Sequence, residues 1–125
     1  MIDLHPTKCN LCGGKVIYTS NDKIYGKQYG SGYCYLCTCC GAYVGTHKPY
    51  PKVALGILAN SEMRELKMKA HSLFDEEWRD NSRRTWKYHW LAERLGIPFR
   101  ECHFGYFDKD MLLKAINILE SKEER

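Results

Sequence analysis

Two short stretches of this chain repeat one another's chemistry. "CNLCGG" carries Cys9 and Cys12, "CTCCGA" carries Cys37 and Cys40, and in each a glycine follows the second thiol. A Cys-x-x-Cys turn sets two sulfurs on one edge of a tetrahedron, and two such turns complete the four-thiolate shell of structural zinc. The glycine suits a backbone that must turn sharply, often through positive φ. Cys34 and Cys37 have the same spacing, but Thr38 follows them, so Cys37 pairs with Cys40. The 24 residues between the two pairs exceed the usual 15–20 or so, a surplus that a β-hairpin absorbs. The reading is a zinc ribbon with one structural Zn2+ on Cys9, Cys12, Cys37 and Cys40. Protein ligands fill all four positions, which leaves none for a substrate.

Three further cysteines complete the seven, an odd number that leaves one thiol over in any disulfide scheme. Cys34 and Cys39 read as small buried or half-buried thiols, with ligand exchange or redox sensing as the alternatives. Cys102, in "ECHFG", lies outside the ribbon. The N-terminus "MIDLHPTKC" has neither a basic start nor an apolar core of the kind that directs export. No apolar run approaches the eighteen or so residues of a membrane span. The expectation is a cytoplasmic protein with reduced thiols, where cysteines signal metal rather than disulfides.

Net charge is +4, and residues 1–59 supply it, with six lysines against Asp3 and Asp22. The remainder balances thirteen basic against thirteen acidic side chains. A modest positive field on the N-terminal half suits a nucleic-acid surface, and equally suits ordinary solubilising lysines.

The β-branched and aromatic runs "KVIYTS" (15–20) and "YCYLC" (33–37) predict strands, joined irregularly through the glycine-bearing "YGKQYGSG". "AYVG" at 42–45 predicts a third strand, and "THKPYPK" at 46–52, with two prolines, a linker. Three helices follow. The first, over 61–79 with Asn60 or Ser61 as cap, places Met63, Leu66, Ala70, Leu73, Phe74 and Trp78 on one face. The second runs from a Ser82 cap to Leu95 on Trp86, Trp90, Leu91 and Leu95, stopped by Gly96 and Pro98. Asp108 caps the third, whose apolar face is Leu112, Ala115, Ile116 and Leu119. The fold class is α+β: a zinc ribbon, 1–52, packed on a three-helix unit, 53–125.

The order Cys-x-x-Cys-Gly, Tyr25-Gly26 and Tyr29-Gly30, Cys-x-x-Cys-Gly-Ala-Tyr-Val-Gly, then "LGILAN", "AHSLFDEEW", "WLAERLGI" and "CHFGYFD" resembles one small family. It is a zinc-finger-containing family of unknown function, common in bacteriophages and prophage-bearing bacteria. The resemblance spans roughly residues 9–110. It implies a phage-type accessory protein with zinc, working in the host cytoplasm, and it transfers no reaction.

Two constellations could carry more than structure. His71 and Asp75 are four apart and share a helix face. If "CHFGYFD" lies over "AHSLFD", then His71, Asp75 and His103 form a metal or acid–base cluster; otherwise they make helix-packing hydrogen bonds. Arg79, Arg83, Arg84 and Lys87 are interleaved with Trp78, Trp86, Tyr88 and Trp90. Cations beside aromatic faces suit single-stranded nucleic acid or RNA, although the three tryptophans also fall on the apolar helix faces. "WLAERLGIP" looks like the start of a helix-turn-helix, but "FRECHFGYF" has no helical period for a recognition helix. The Asn and His spacing of a His-Asn-His nuclease, phosphate loops and nucleophile elbows are absent from the sequence.

The expected function is therefore non-enzymatic binding of nucleic acid or of a nucleic-acid-handling complex. Lys15, Lys23 and Lys27 would present the ribbon's cations, and Arg83, Arg84 and Lys87 those of the helices. A modulator that occupies a host enzyme is the alternative, and a small metalloenzyme using His71, Asp75 and His103 a second. No membrane or small-molecule cofactor is expected.

Overall fold

A computed structural model describes residues 2–77 and 84–121, in two compact units, Met1–Ser61 and Glu62–Arg125. The N-terminal unit is built on a three-stranded antiparallel sheet of order β1 (Val16–Ser20), β2 (Tyr33–Cys37), β3 (Tyr43–Gly45). Val16 faces Cys37 and Ser20 faces Tyr33 across the first pair, and Leu36 faces Tyr43 across the second. Alternation then sends Val16, Tyr35, Cys37 and Val44 to one side, where they are buried with Cys9, Ala42, Ala54 and Leu58. Tyr18 and Tyr33 stack at the rim of that face with ring centroids 5.2 Å apart.

The strands agree with their sequence signals. Between β1 and β2 a single helical turn, α1 (Asp22–Tyr25), precedes the glycine-rich loop. The proline-bearing 46–52 segment, expected as a linker, folds back on its own unit. Thr46 pairs with Ala54, and the Tyr18 and Tyr35 hydroxyls donate to the carbonyls of Pro51 and Lys52. The chain then runs along the far edge of β3, where Tyr43 and Ala59 exchange backbone hydrogen bonds of 3.2 and 3.0 Å. That edge of the sheet is covered by its own unit.

The C-terminal unit holds α2 (Ser61–Glu77), α3 (Arg84–Leu95) and α4 (Lys109–Ser121). Met63, Ala70 and Phe74 of α2 are buried, as are Leu112, Ala115, Ile116 and Leu119 of α4, as their periodicity predicts. Trp78, Arg79, Ser82 and Arg83 lie outside the described residues. In α3 Leu91 and Leu95 are buried as expected, but the structure corrects the head of the face. Trp86 is 55% exposed, and the inward line is Lys87, Leu91, Ala92 and Leu95. Lys87 takes the inward place because its stem packs like a hydrocarbon and its ammonium rests 4.5 Å from the centroid of the Phe74 ring. A lysine at the head of an i, i+4, i+8 line does not read as core in a sequence.

Gly96, at φ +72, ends α3, and the Ile97 N–H returns to the Ala92 carbonyl. Two short 3-10 turns, Phe99–Glu101 and Phe104–Tyr106, replace a recognition helix. Asp108 caps α4, its Oδ1 accepting from the Met111 N–H at 2.9 Å. Replacing Asp108 with alanine should cost about 1 kcal/mol, read as a lower urea midpoint with unchanged m-value. Among the described residues no helix is long and apolar enough to cross a membrane.

Candidate functional site

The two cysteine turns are the same local structure made twice. In the first, the Cys9 N–H donates to the Gly14 carbonyl and the Gly13 N–H returns to the Cys9 carbonyl. In the second, Cys37 donates to Ala42 and Gly41 returns to Cys37. Gly13 and Gly41 have φ of +76° and +80°, so the glycine after each pair is there for the left-handed turn. The turn aims backbone donors at sulfur. Leu11 N–H reaches Cys9 Sγ, Gly14 N–H reaches Cys12 Sγ, and Cys39 N–H reaches Cys37 Sγ, each at 3.3 Å.

The four sulfurs lie within 4.8 Å of one another, with Cys12–Cys37 at 3.4 Å and Cys9–Cys40 at 3.8 Å. A zinc–sulfur bond of about 2.3 Å requires sulfur–sulfur edges of about 3.8 Å. Cys9 and Cys37 are buried, while Cys12 and Cys40 face outward. Metal-free, so compact a set cannot ionise together. The Cys40 N–H donates to Cys37 Sγ, and with help from the Cys39 N–H and the neighbouring thiols it holds Cys37 down at about 6 against the effect of burial. The Gly14 N–H favours the Cys12 thiolate, but the adjacent Cys37, burial and the other two thiols push Cys12 up to about 12. A divalent cation resolves the conflict by ionising all four. The donor set, its geometry and its N–H donors fit one structural zinc ion.

Asn10, between the ligands of the first turn, ties that turn to the rest of its unit. Its side-chain amide exchanges two 3.0 Å hydrogen bonds with the Leu58 backbone, as a strand neighbour would. Sequence reading missed this role, since one asparagine inside a Cys-x-x-Cys turn is no signal. Cys39 is exposed and lies against Gly14, where an added Cβ would sit 2.7 Å from Cys39 Cβ and 3.2 Å from Cys12 Sγ. Cys39 is fixed between two ligands and cannot retreat. Gly14→Ala should weaken zinc binding about ten- to hundredfold, measured by competition with a chromophoric chelator. Cys34 and Cys102 are each 1% exposed, and burial raises both thiols, Cys102 to about 11. They pack as small apolar groups.

Among the described residues the four cysteines are the one group of three or more side chains placed to hold a metal. The turn bearing His103 does lie over α2, but through Phe104, whose ring meets Phe74 at 5.6 Å and His71 at 4.7 Å. His103 packs on Tyr106 at 4.7 Å. His71, Asp75 and His103 are exposed and are not brought together as ligands. Lys15, Lys23 and Lys27 are exposed, and Lys27 Nζ lies 5.2 Å from the centroid of the Tyr29 ring. Arg83 is outside the described residues, as is the side chain of Arg84, while Lys87 is 2% exposed and does not offer its charge to a phosphate. Helix α3 shows other groups instead. Trp86 is exposed, Arg94 lies 5.5 Å from the Trp90 ring, and His89 stacks on Phe99 at 3.7 Å.

A small antiparallel sheet with a four-cysteine cluster, followed by helices, defines a zinc-finger-containing protein. The chain matches the DUF3268 family, a zinc-finger-containing domain, over residues 5–122, and it belongs to that family. No curated protein and no solved structure gives a significant match.

Proposed function

We propose that this protein is a non-enzymatic binding module in which zinc stiffens a surface that engages nucleic acid. The observation that carries the reading is the pairing of cations with exposed aromatic rings on the N-terminal unit. Tyr25 and Tyr29 are 48% and 51% exposed, Lys27 sits at the Tyr29 ring, and residues 1–59 hold the whole net charge of +4. Ammonium groups neutralise phosphate while aromatic faces stack on bases. On the second unit Trp86 of α3 is likewise exposed, beside a half-buried pair in which Arg94 lies 5.5 Å from the Trp90 ring. The zinc acts as scaffold, since protein thiolates complete its shell. A phage-type accessory role rests on the order of motifs alone.

Fluorescence anisotropy with labelled single- and double-stranded DNA and RNA, followed through a salt series, tests this. Binding should weaken steeply as salt rises, and Lys27→Gln should weaken it uniformly and reduce the salt slope by about one. Lys87→Met, with its charge buried, should bind as the parent does. Absence of binding at low salt, or affinity indifferent to salt, would overturn the proposal and turn attention to a protein partner.

A further inference from the structure

Beside the end of β3 the N-terminal unit has a wide, open cleft of about 460 Å³. Tyr25 and Tyr29 supply its aromatic wall, Leu55 an aliphatic side chain, Gly30 and Gly45 leave the backbone bare, and Ser31, Thr46 and Asn21 complete the lining. The two tyrosine rings meet edge to face at 87°, with centroids 5.2 Å apart, so they make a corner in which a flat group lies on one ring and against the edge of the other. At Gly30 a Cβ would meet nothing within 4 Å, so the bare backbone there leaves room for a planar ligand to approach.

The cleft is held ready by one buried side chain. Asn21, 6% exposed, accepts from the Tyr29 N–H at 3.1 Å, donates to the Tyr29 carbonyl at 2.8 Å, and receives Ile24 and Tyr25 on its own carbonyl. The loop carrying both tyrosines is therefore fixed before any ligand arrives, which lowers the ordering cost of binding. No charged side chain lines the cleft, and the nearby cation is Lys27, whose ammonium lies 5.2 Å from the centroid of the Tyr29 ring.

We propose that this cleft takes one unpaired base of a nucleic-acid strand, stacked in the Tyr25–Tyr29 corner with its phosphates beside Lys27. The assignment rests on the nucleic-acid reading above and gives it a site and a strandedness. A duplex hides its base faces, so only a single strand, loop or end can fill the cleft. The Ser31 and Thr46 hydroxyls bond to one another at 2.5 Å and to the Tyr33 backbone, so they add polarity without a strong donor and acceptor code. Recognition is then by stacking, with little preference among bases.

The test uses the zinc-loaded full chain and a fluorescein-labelled mixed-sequence DNA dodecamer, as a single strand, as a duplex, and with one abasic position moved along it. The single strand should bind better than the duplex, and Tyr29→Ala should weaken it about tenfold or more. Tyr29→Phe should keep most of the affinity, because the ring stacks and the hydroxyl does not. Zinc content and the far-ultraviolet spectrum confirm that each variant is folded, and the Tyr25→Ala variant gives an independent measure of the same wall. Removing a base at one position should cost as much as Tyr29→Ala, with no further loss when both are combined. If the dodecamer binds with its salt dependence intact but both tyrosine variants match the parent, the base pocket is overturned and the broader reading stands. If duplex binds as well as single strand, the pocket is likewise overturned. If no oligonucleotide binds, both fall. A proline-rich peptide whose binding depends on Tyr29 while the dodecamer's does not would assign the cleft to a peptide and overturn the inference.

Discussion

Cys9→Ser and Cys37→Ser are each expected to lower zinc from one ion per chain towards none and to unfold the N-terminal unit. The buried cluster of that unit is small, with Cys9, Val16, Tyr35, Cys37, Ala42, Val44, Ala54 and Leu58 as its members, and two of the eight are themselves zinc ligands. A core of this size seldom stabilises a domain alone. Metal binding contributes about 10 kcal/mol or more to folding in comparable sites, well beyond the marginal stability of a small domain. Elemental analysis and the dispersion of backbone amide signals measure the two effects, and a strong chelator should reproduce them in the parent chain. Native dispersion that survives complete zinc removal would sink the idea that the ion holds this unit together.

The same site predicts a pH dependence of definite sign. In the zinc-loaded state the four sulfurs carry no protons, whereas the metal-free cluster binds them, so stability present at neutral pH is lost as pH falls. Because the unit unfolds as it loses zinc, its four thiols return to the ordinary cysteine value of about 8.5. At neutral pH zinc must therefore displace protons from all four, and its loss should steepen with each unit that pH falls below about 8. Calorimetric titration of zinc in two buffers of different ionisation enthalpy should show proton release at pH 7. Identical heats in both buffers would contradict it.

Phe104→Ala should be the most damaging single change in the helical unit. Phe104 is 2% exposed and its ring meets His71, Phe74, Tyr88 and Phe107 at centroid distances of 4.7, 5.6, 6.4 and 5.8 Å. Truncating a buried phenylalanine in such a cluster costs about 3–5 kcal/mol, through lost burial and the cavity left behind. Urea unfolding followed by helical circular dichroism measures it, and Phe104→Leu should lose well under half as much. Zinc content should stay at one per chain, because the four zinc ligands all belong to the other unit. A midpoint unchanged in Phe104→Ala would show that the turn does not organise these helices.

Sequence alone determined the parts of this protein that depend on short-range geometry. The spacing of the cysteines and the glycine after each pair specified the zinc ligands, because a four-residue turn has few ways to aim two sulfurs at one point. Period-two and period-3.6 patterning located the strands, α2 and α4, and Asp108 declared its cap, for the same local reason. Tertiary structure decided the rest. It turned Lys87 inward and Trp86 outward, since the amphipathic lysine stem fills core space when an aromatic ring lies over its ammonium. It folded the proline-bearing 46–52 segment back onto the sheet through the Tyr18 and Tyr35 hydroxyls, used Asn10 to pin Leu58, and used Asn21 to raise two tyrosines into a corner. It kept His71, Asp75 and His103 from converging. Each of these depends on partners that meet only once the chain has closed on itself, and a linear pattern holds no record of them.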